Sequence, residues 1–296
     1  MSITTATTTR IPPVVINQIW PLLEHKFECS GVFKVGKSNS SNPETISEIK
    51  LVKGQADSVH TPDAPLNFHT HPKFLYDRER VKWGWPSGED LRECILYGSD
   101  PKHKFHTVFA KEGIYTIHTT PCFRKFMTGV TLKERSVIVS VLESIFKSTH
   151  NLRTIAFNKK YPVSPLDWKK MTEGLRLSML FNPDVKDTCG KIPCRKILTV
   201  DSKNNTERVN LESYLEMYEG KNMKIMNVTS SGNITKTFNM KIRDVMDILD
   251  GAQKKLKKVC PKSRIFNISY TPLCLCDKNI VVKTVSPKRI KSKRKI

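Results

Sequence analysis

Alternation of apolar and polar residues dominates the first half of the chain. Phe27-Glu-Cys-Ser-Gly-Val-Phe-Lys-Val35 reads as a strand, followed by a Ser/Asn/Pro loop from Ser38 to Pro43. Glu48–Lys53 and Leu66-Asn-Phe-His-Thr-His71 read as two more strands, the second closed by Pro72. His106–Ala110 and Ile114–His118, with a turn at Lys111-Glu-Gly113, form a further pair. Helical spacing shows in three places. Val14–Glu24 predicts a short helix interrupted by Pro21, and Ser87 opens a helix to about Tyr97 with Glu89 and Asp90 in its first turn. Leu132 to about Lys147 has Ile138, Val141, Leu142, Ile145 and Phe146 on one face. Further on, Leu166–Phe181, Leu211–Tyr218 and Ile242–Lys258 look helical, while Met223–Thr229 and Ile234–Met240 flank Ser230–Asn233 as a hairpin. This mixture predicts an α/β core followed by a smaller basic α+β segment. The expected divisions are a Thr-rich leader at 1–13, the core at 14–148, the basic segment at 149–282 and a basic tail at 283–296.

Charge sharpens that division. The 296 residues carry 50 Lys and Arg against 28 Asp and Glu, a formal charge of +22. Residues 1–130 contribute only +3 of it and residues 131–296 contribute +19. The excess peaks at Lys254–Arg264 and in the tail KTVSPKRIKSKRKI, which has seven basic residues and no acid. Such clusters fit phosphate attraction or an acidic partner, nuclear targeting, or a solvated end; no aromatic interleaves the tail, so base stacking is not suggested. Hydrophobic content of 38% supports a buried core and excludes wholesale disorder. No apolar run is long enough to span a bilayer, and the Thr-rich N-terminus lacks a secretory h-region. The expectation is a cytoplasmic or nuclear protein, not secreted and without a membrane partner. Its eight cysteines are then expected as reduced thiols.

Three residues offer metal chemistry. His69 and His71 are two apart on a predicted strand, so both imidazoles leave the same face and can reach one ion. Asp90, in the first turn of the following helix, can supply a third, anionic ligand. Two His and one carboxylate leave a tetrahedral Zn²⁺ with an open position for water, the pattern of a catalytic site. Glu28, on an earlier strand, is the candidate base, and Ser87 the candidate donor to an oxyanion.

Glu28 within Phe27–Gly36, then His69-x-His71-Pro72, then Pro86-Ser87-x-x-Asp90-Leu91, closely resembles the JAMM (MPN-plus) metalloenzymes over about residues 14–148. The strand pair around Glu112-Gly-Ile-Tyr115 looks like the family's continuation. The resemblance implies a curved β-sheet flanked by helices, zinc held by His69, His71 and Asp90, Glu28 as base and Ser87 as oxyanion helper. It further implies hydrolysis of peptide or isopeptide bonds, most often in ubiquitin-like conjugates. Trp85-Pro-Ser-Gly-Glu-Asp90 and the Lys-rich tail resemble versions encoded by large DNA viruses of eukaryotes, whose compartment would be host cell or virion. Fifteen residues separate His71 from Ser87, more than family members commonly have. The extra stretch, Lys73–Pro86, carries Phe74, Tyr76, Trp83 and Trp85, which suit either a substrate groove or a cover for the core. The competing class is a non-enzymatic protein of MPN-like fold that binds nucleic acid or assembles particles.

Two other patterns are weaker. Gly31-Val-Phe-Lys-Val-Gly36-Lys37-Ser38 matches a P-loop literally, but its Val, Phe, Lys and Val prefer a strand and Asn39–Pro43 is a poor helix start. Cys189-x4-Cys194 with Cys274-x-Cys276 departs from familiar zinc-site spacings. Cys29, Cys94 and Cys122 read as core residues.

Overall fold

The computed structural model describes residues 4–36, 44–54, 61–62, 64–79, 83–98, 102–145, 222–229, 234–260, 265–272 and 280–287. Among these, the strands are β1 (Thr4–Ile11), β2 (Cys29–Val35), β3 (Glu44–Lys53), β4 (Leu66–Thr70), β5 (Phe105–Ala110), β6 (Gly113–Thr119), β7 (Asn222–Val228), β8 (Ile234–Lys241), β9 (Phe266–Pro272) and β10 (Ile280–Pro287). The helices are α1 (Pro13–Ile19), extended by a 3₁₀ turn at Trp20–Glu24, then α2 (Lys73–Glu79), α3 (Gly88–Gly98), α4 (Pro121–Gly129), α5 (Leu132–Ile145) and α6 (Ile242–Val259). Eight strands form one curved sheet in the order β10-β1-β3-β2-β4-β5-β6-β9, while β7 and β8 make a separate hairpin. Neighbours in the large sheet are antiparallel except β1–β3 and β4–β5.

Strand alternation splits the apolar residues into two cores, one on each face. On one face Phe33, Phe68, Phe105 and Phe109 pack with Val15, Ile16 and Ile19 of α1. On the other, Val108, Tyr115 and Ile117 meet α3, α4, α5, α6 and β7. The helices start where the sequence caps them. Thr120 accepts the Phe123 amide at 3.1 Å for α4, and Thr131 and Glu134 exchange bonds reciprocally at the start of α5. Two serines of α5, Ser136 and Ser140, accept amides of Val228 and Met226, so α5 covers an edge that β7 would otherwise leave open.

The described residues cross the expected domain boundaries. The Thr-rich start expected as a leader forms β1, which pairs along its length with β10, Thr4 opposite Pro287 and Ile11 opposite Ile280. β-branched Thr, Ile and Val suit both strands, and Lys283–Pro287 of the expected tail lie within β10. From the expected basic segment, β9 joins β6 in the large sheet and α6 packs into the core of the first half. The predicted hairpin and Ile242 helix fall at β7, β8 and α6; the predicted helices at 166–181 and 211–218 lie outside the described residues.

The cysteines differ as well. Cys29 and Cys94 are buried and lie outside any disulfide, but Cys122 is bridged to Cys260, not reduced. Packing α4 against α6 brings two residues 138 apart in sequence to a Cα–Cα distance of 5.1 Å, inside the disulfide range. Cys189, Cys194, Cys274 and Cys276 lie outside the described residues. Gly31–Val35 is strand, as expected against a P-loop. No helix among the described residues is long and apolar enough to cross a membrane.

Candidate metal centre

The central strand β4 is buried at every position, which makes its polar residues conspicuous. Leu66 and Phe68 point into the aromatic core, so Asn67 and His69, with His71 just beyond the strand, share the face toward α3. Helix α3 meets that face end-on. Ser87 caps it: the Asp90 amide donates to Ser87 Oγ at 3.2 Å, and Asp90 Oδ2 accepts the Ser87 amide at 2.6 Å. That reciprocal pair fixes the Asp90 carboxylate over the two imidazoles. His69 Nε2 lies 3.0 Å from His71 Nε2 and 3.2 Å from Asp90 Oδ1, and His71 Nε2 lies 3.5 Å from Asp90 Oδ2.

These separations suit one small cation. Ligand atoms on a tetrahedral zinc with bonds of about 2.0–2.1 Å stand about 3.3 Å apart. Electrostatics agree. Burial alone would lower the His71 pKa, but the hydrogen bond and charge of Asp90, with Glu28 and the Gly84 carbonyl, raise it to about 9. Asp90, which burial would push up, is held well below the ordinary carboxylate range by His69 and His71. A pair of carboxylates thus favours positive charge at the centre of the site. His69, His71 and Asp90 form a group that can hold a metal ion.

Glu28 immediately precedes β2 and not within it; its carbonyl accepts the Gly54 amide at 2.9 Å. β2 runs antiparallel to β4 with Ser30 opposite His69, a register that carries Glu28 opposite His71. Its charge is felt at His71. Ser87 Oγ accepts from Asp90, which leaves the hydroxyl proton unused by the cap. At this end of β4 His69, His71 and Asp90 come together, Ser87 is bonded to Asp90, and the strand register places Glu28 beside His71.

Sequence reasoning missed what stands behind the imidazoles. His69 Nδ1 lies 2.8 Å from His106 Nε2, and His106 Nδ1 lies 2.8 Å from Asn67 Oδ1. Burial, then the neighbouring His69, lowers the His106 pKa well below its ordinary value, so this imidazole is neutral. His71 Nδ1 donates to the Gly84 carbonyl at 2.8 Å. Gly84 belongs to the stretch between His71 and Ser87, and Glu112 holds it there. Glu112 Oε1 accepts the Gly84 amide at 2.9 Å and the Tyr115 hydroxyl at 2.7 Å, while Oε2 accepts the Tyr76 hydroxyl at 2.9 Å. Tyr76 and Trp85 of this stretch are buried and cover the core, while Gly84 positions His71. A fully polar position within a buried strand, at Asn67 and again at His106, was the available signal.

Fold and site together define a mixed α/β protein with a His-His-Asp group beneath the N-terminus of a capped helix. Over 103 residues, 35% of its length, the chain is 30% identical to "Uncharacterized protein 3R" of Frog virus 3 (isolate Goorha). It covers 23% of that relative's length. No protein-family profile matches the chain, and no solved structure matches it significantly.

Proposed function

We propose that the chain is a zinc-dependent isopeptidase or peptidase of the JAMM type, acting on a ubiquitin-like conjugate or another peptide bond. The observation that carries this reading is the convergence of His69, His71 and Asp90 within 3.0–3.5 Å, with the charge of Glu28 reaching the same imidazole. Bound zinc would supply Lewis acidity, lowering the pKa of a coordinated water to about 7 and polarising the scissile carbonyl. Glu28 would accept the water proton and return it to the departing amine. Ser87 would donate its free hydroxyl proton to the carbonyl oxygen as that oxygen gains charge. Asp90 would be both ligand and cap partner, which couples the helix start to the metal. Similarity to a Frog virus 3 protein supports a viral source.

Replacing Glu28 separates base from ligand. Glu28→Gln should retain zinc and lose about 10²- to 10⁴-fold in the hydrolysis rate of ubiquitin-like conjugates. A wild-type rate in that variant would refute the assigned mechanism. Absence of turnover in zinc-loaded wild type would favour the non-enzymatic reading, in which exposed Lys254, Lys258 and Lys283 contact nucleic acid or an acidic partner.

A further inference from the structure

Behind the metal-facing edge of His69 runs a chain of hydrogen bonds whose direction is fixed at its far end. Proline carbonyls only accept, so the Asn67 amide nitrogen is the group that faces Pro62 O, at 3.1 Å. Asn67 Oδ1 then faces His106 Nδ1 at 2.8 Å, and an amide oxygen also only accepts. His106 must therefore carry its proton on Nδ1. Its Nε2 is left as a lone pair, and the His69 Nδ1–H donates to it across 2.8 Å. A neutral His69 in turn presents an unprotonated Nε2, the atom that lies 3.2 Å from Asp90 Oδ1. Each link is buried: Asn67 is 0%, His106 1% and His69 4% exposed, so water does not substitute for a missing partner. β4 and β5 are parallel with Asn67 directly beside His106, which makes the alignment a property of the sheet register. The rings of His69 and His106 lie within 19° of one plane with centroids 4.9 Å apart, as an in-plane hydrogen bond between them requires.

We infer that Asn67 and His106 are positioning residues of the metal centre, a buried relay that locks His69 in the tautomer with a free Nε2 ready to bind a metal ion. This rests on the zinc-site reading above and goes beyond it. Without the relay, His69 is free to carry its proton on Nε2, which blocks the ligand position. The His71 imidazole is set the same way by a different acceptor, the Gly84 carbonyl. The two acceptors turn both Nε2 atoms, 3.0 Å apart, toward one point, where a bound metal ion would take the place of a proton. Outer partners of this kind commonly contribute about 10- to 100-fold to metal affinity.

Three measurements on the full chain test the relay. Zinc affinity comes from competition with a chromophoric chelator, coordination from the visible spectrum of the Co²⁺-substituted protein, and the tautomer from long-range ¹H–¹⁵N correlation of the histidine rings. Wild type should bind one zinc and show His106 protonated on Nδ1. His106→Leu should bind zinc about 10- to 100-fold more weakly and shift the Co²⁺ bands. His106→Gln, whose Oε1 can accept from His69, should restore affinity to within about threefold and recover the spectrum. Should the leucine variant fail to fold, the wild-type ring spectrum and the glutamine variant still decide the question. His106 protonated on Nε2, or equal affinity and spectra in wild type and a folded leucine variant, would overturn the relay while leaving the zinc site standing. A wild type that binds no zinc would overturn both.

Discussion

Replacing Gly84 by alanine tests whether the segment between His71 and Ser87 holds the metal site. A Cβ at residue 84 would lie 1.8 Å from Tyr76 Oη and 2.4 Å from its Cζ, against ordinary contacts of 3.4 Å or more. One partner must yield by about 1.6 Å. Tyr76 is poorly placed to do so. It is 3% exposed, its hydroxyl donates to Glu112 Oε2 at 2.9 Å and accepts the Lys111 amide at 3.1 Å, and Lys111 Nζ sits 4.0 Å from its ring centroid. Expelling the ring forfeits two hydrogen bonds at about 1 kcal/mol each, plus packing. Moving the backbone instead takes the Gly84 carbonyl out of reach of His71 Nδ1, now 2.8 Å away. Gly84→Ala should therefore cost about 2–4 kcal/mol of stability and weaken zinc binding about 10- to 100-fold. Urea unfolding and chelator competition read the two effects. Gly251→Ala is the matched control. It sits within α6, a Cβ there meets nothing within 4 Å, and the change should stabilise by about 0.5–1 kcal/mol without altering zinc affinity. Wild-type stability and zinc affinity in Gly84→Ala would refute the role assigned to this segment.

Further outcomes follow from the rest of the fold. The Cys122–Cys260 bridge closes a separation of 138 residues, worth up to about 5 kcal/mol by loop entropy, so reductant or Cys122→Ser should lower the melting temperature by about 8 °C; no shift would refute a stabilising bridge. Burial, followed by Arg124, lowers the pKa of His103 to about 3 and of His118 to about 4. The unfolded chain then binds the extra protons, so stability should fall as pH drops below about 6.5 and keep falling to those values, by at most about 1.4 kcal/mol per unit and group. Urea midpoints at several pH values check this, and an identical acid dependence in His103→Leu would contradict it. Deleting residues 288–296 leaves β10 intact and removes six positive charges, so the salt dependence of DNA or RNA binding should become shallower with zinc content unchanged. An unchanged salt slope would exclude the tail as the phosphate-binding element.

What the sequence discloses is mostly local. His69-x-His71 shares a face because strands alternate, and Ser87-x-x-Asp90 caps a helix because four residues suffice to close the reciprocal bonds. The Gly31 strand, the β7–β8 hairpin and α6 follow from the same short-range rules. Non-local pairing was hidden. Thr4–Ile11 reads by composition as a leader and Lys283–Pro287 as part of a charged tail, yet each supplies the other's hydrogen bonds across more than two hundred residues. The partners of the metal-facing imidazoles are hidden for a related reason: Asn67 and His106 meet only through a parallel register, and Gly84 meets His71 only because Glu112 anchors it. The cysteines followed the same pattern, since α4 and α6 had to pack before Cys122 could find Cys260.

Metal content of the purified chain is the most direct test of the central claim. Wild type should carry one zinc per chain after dialysis, and the double variant His69→Ala, His71→Ala should carry none, because the Asp90 carboxylate alone cannot retain the ion. Equal zinc in both proteins would contradict a metal centre built from His69, His71 and Asp90.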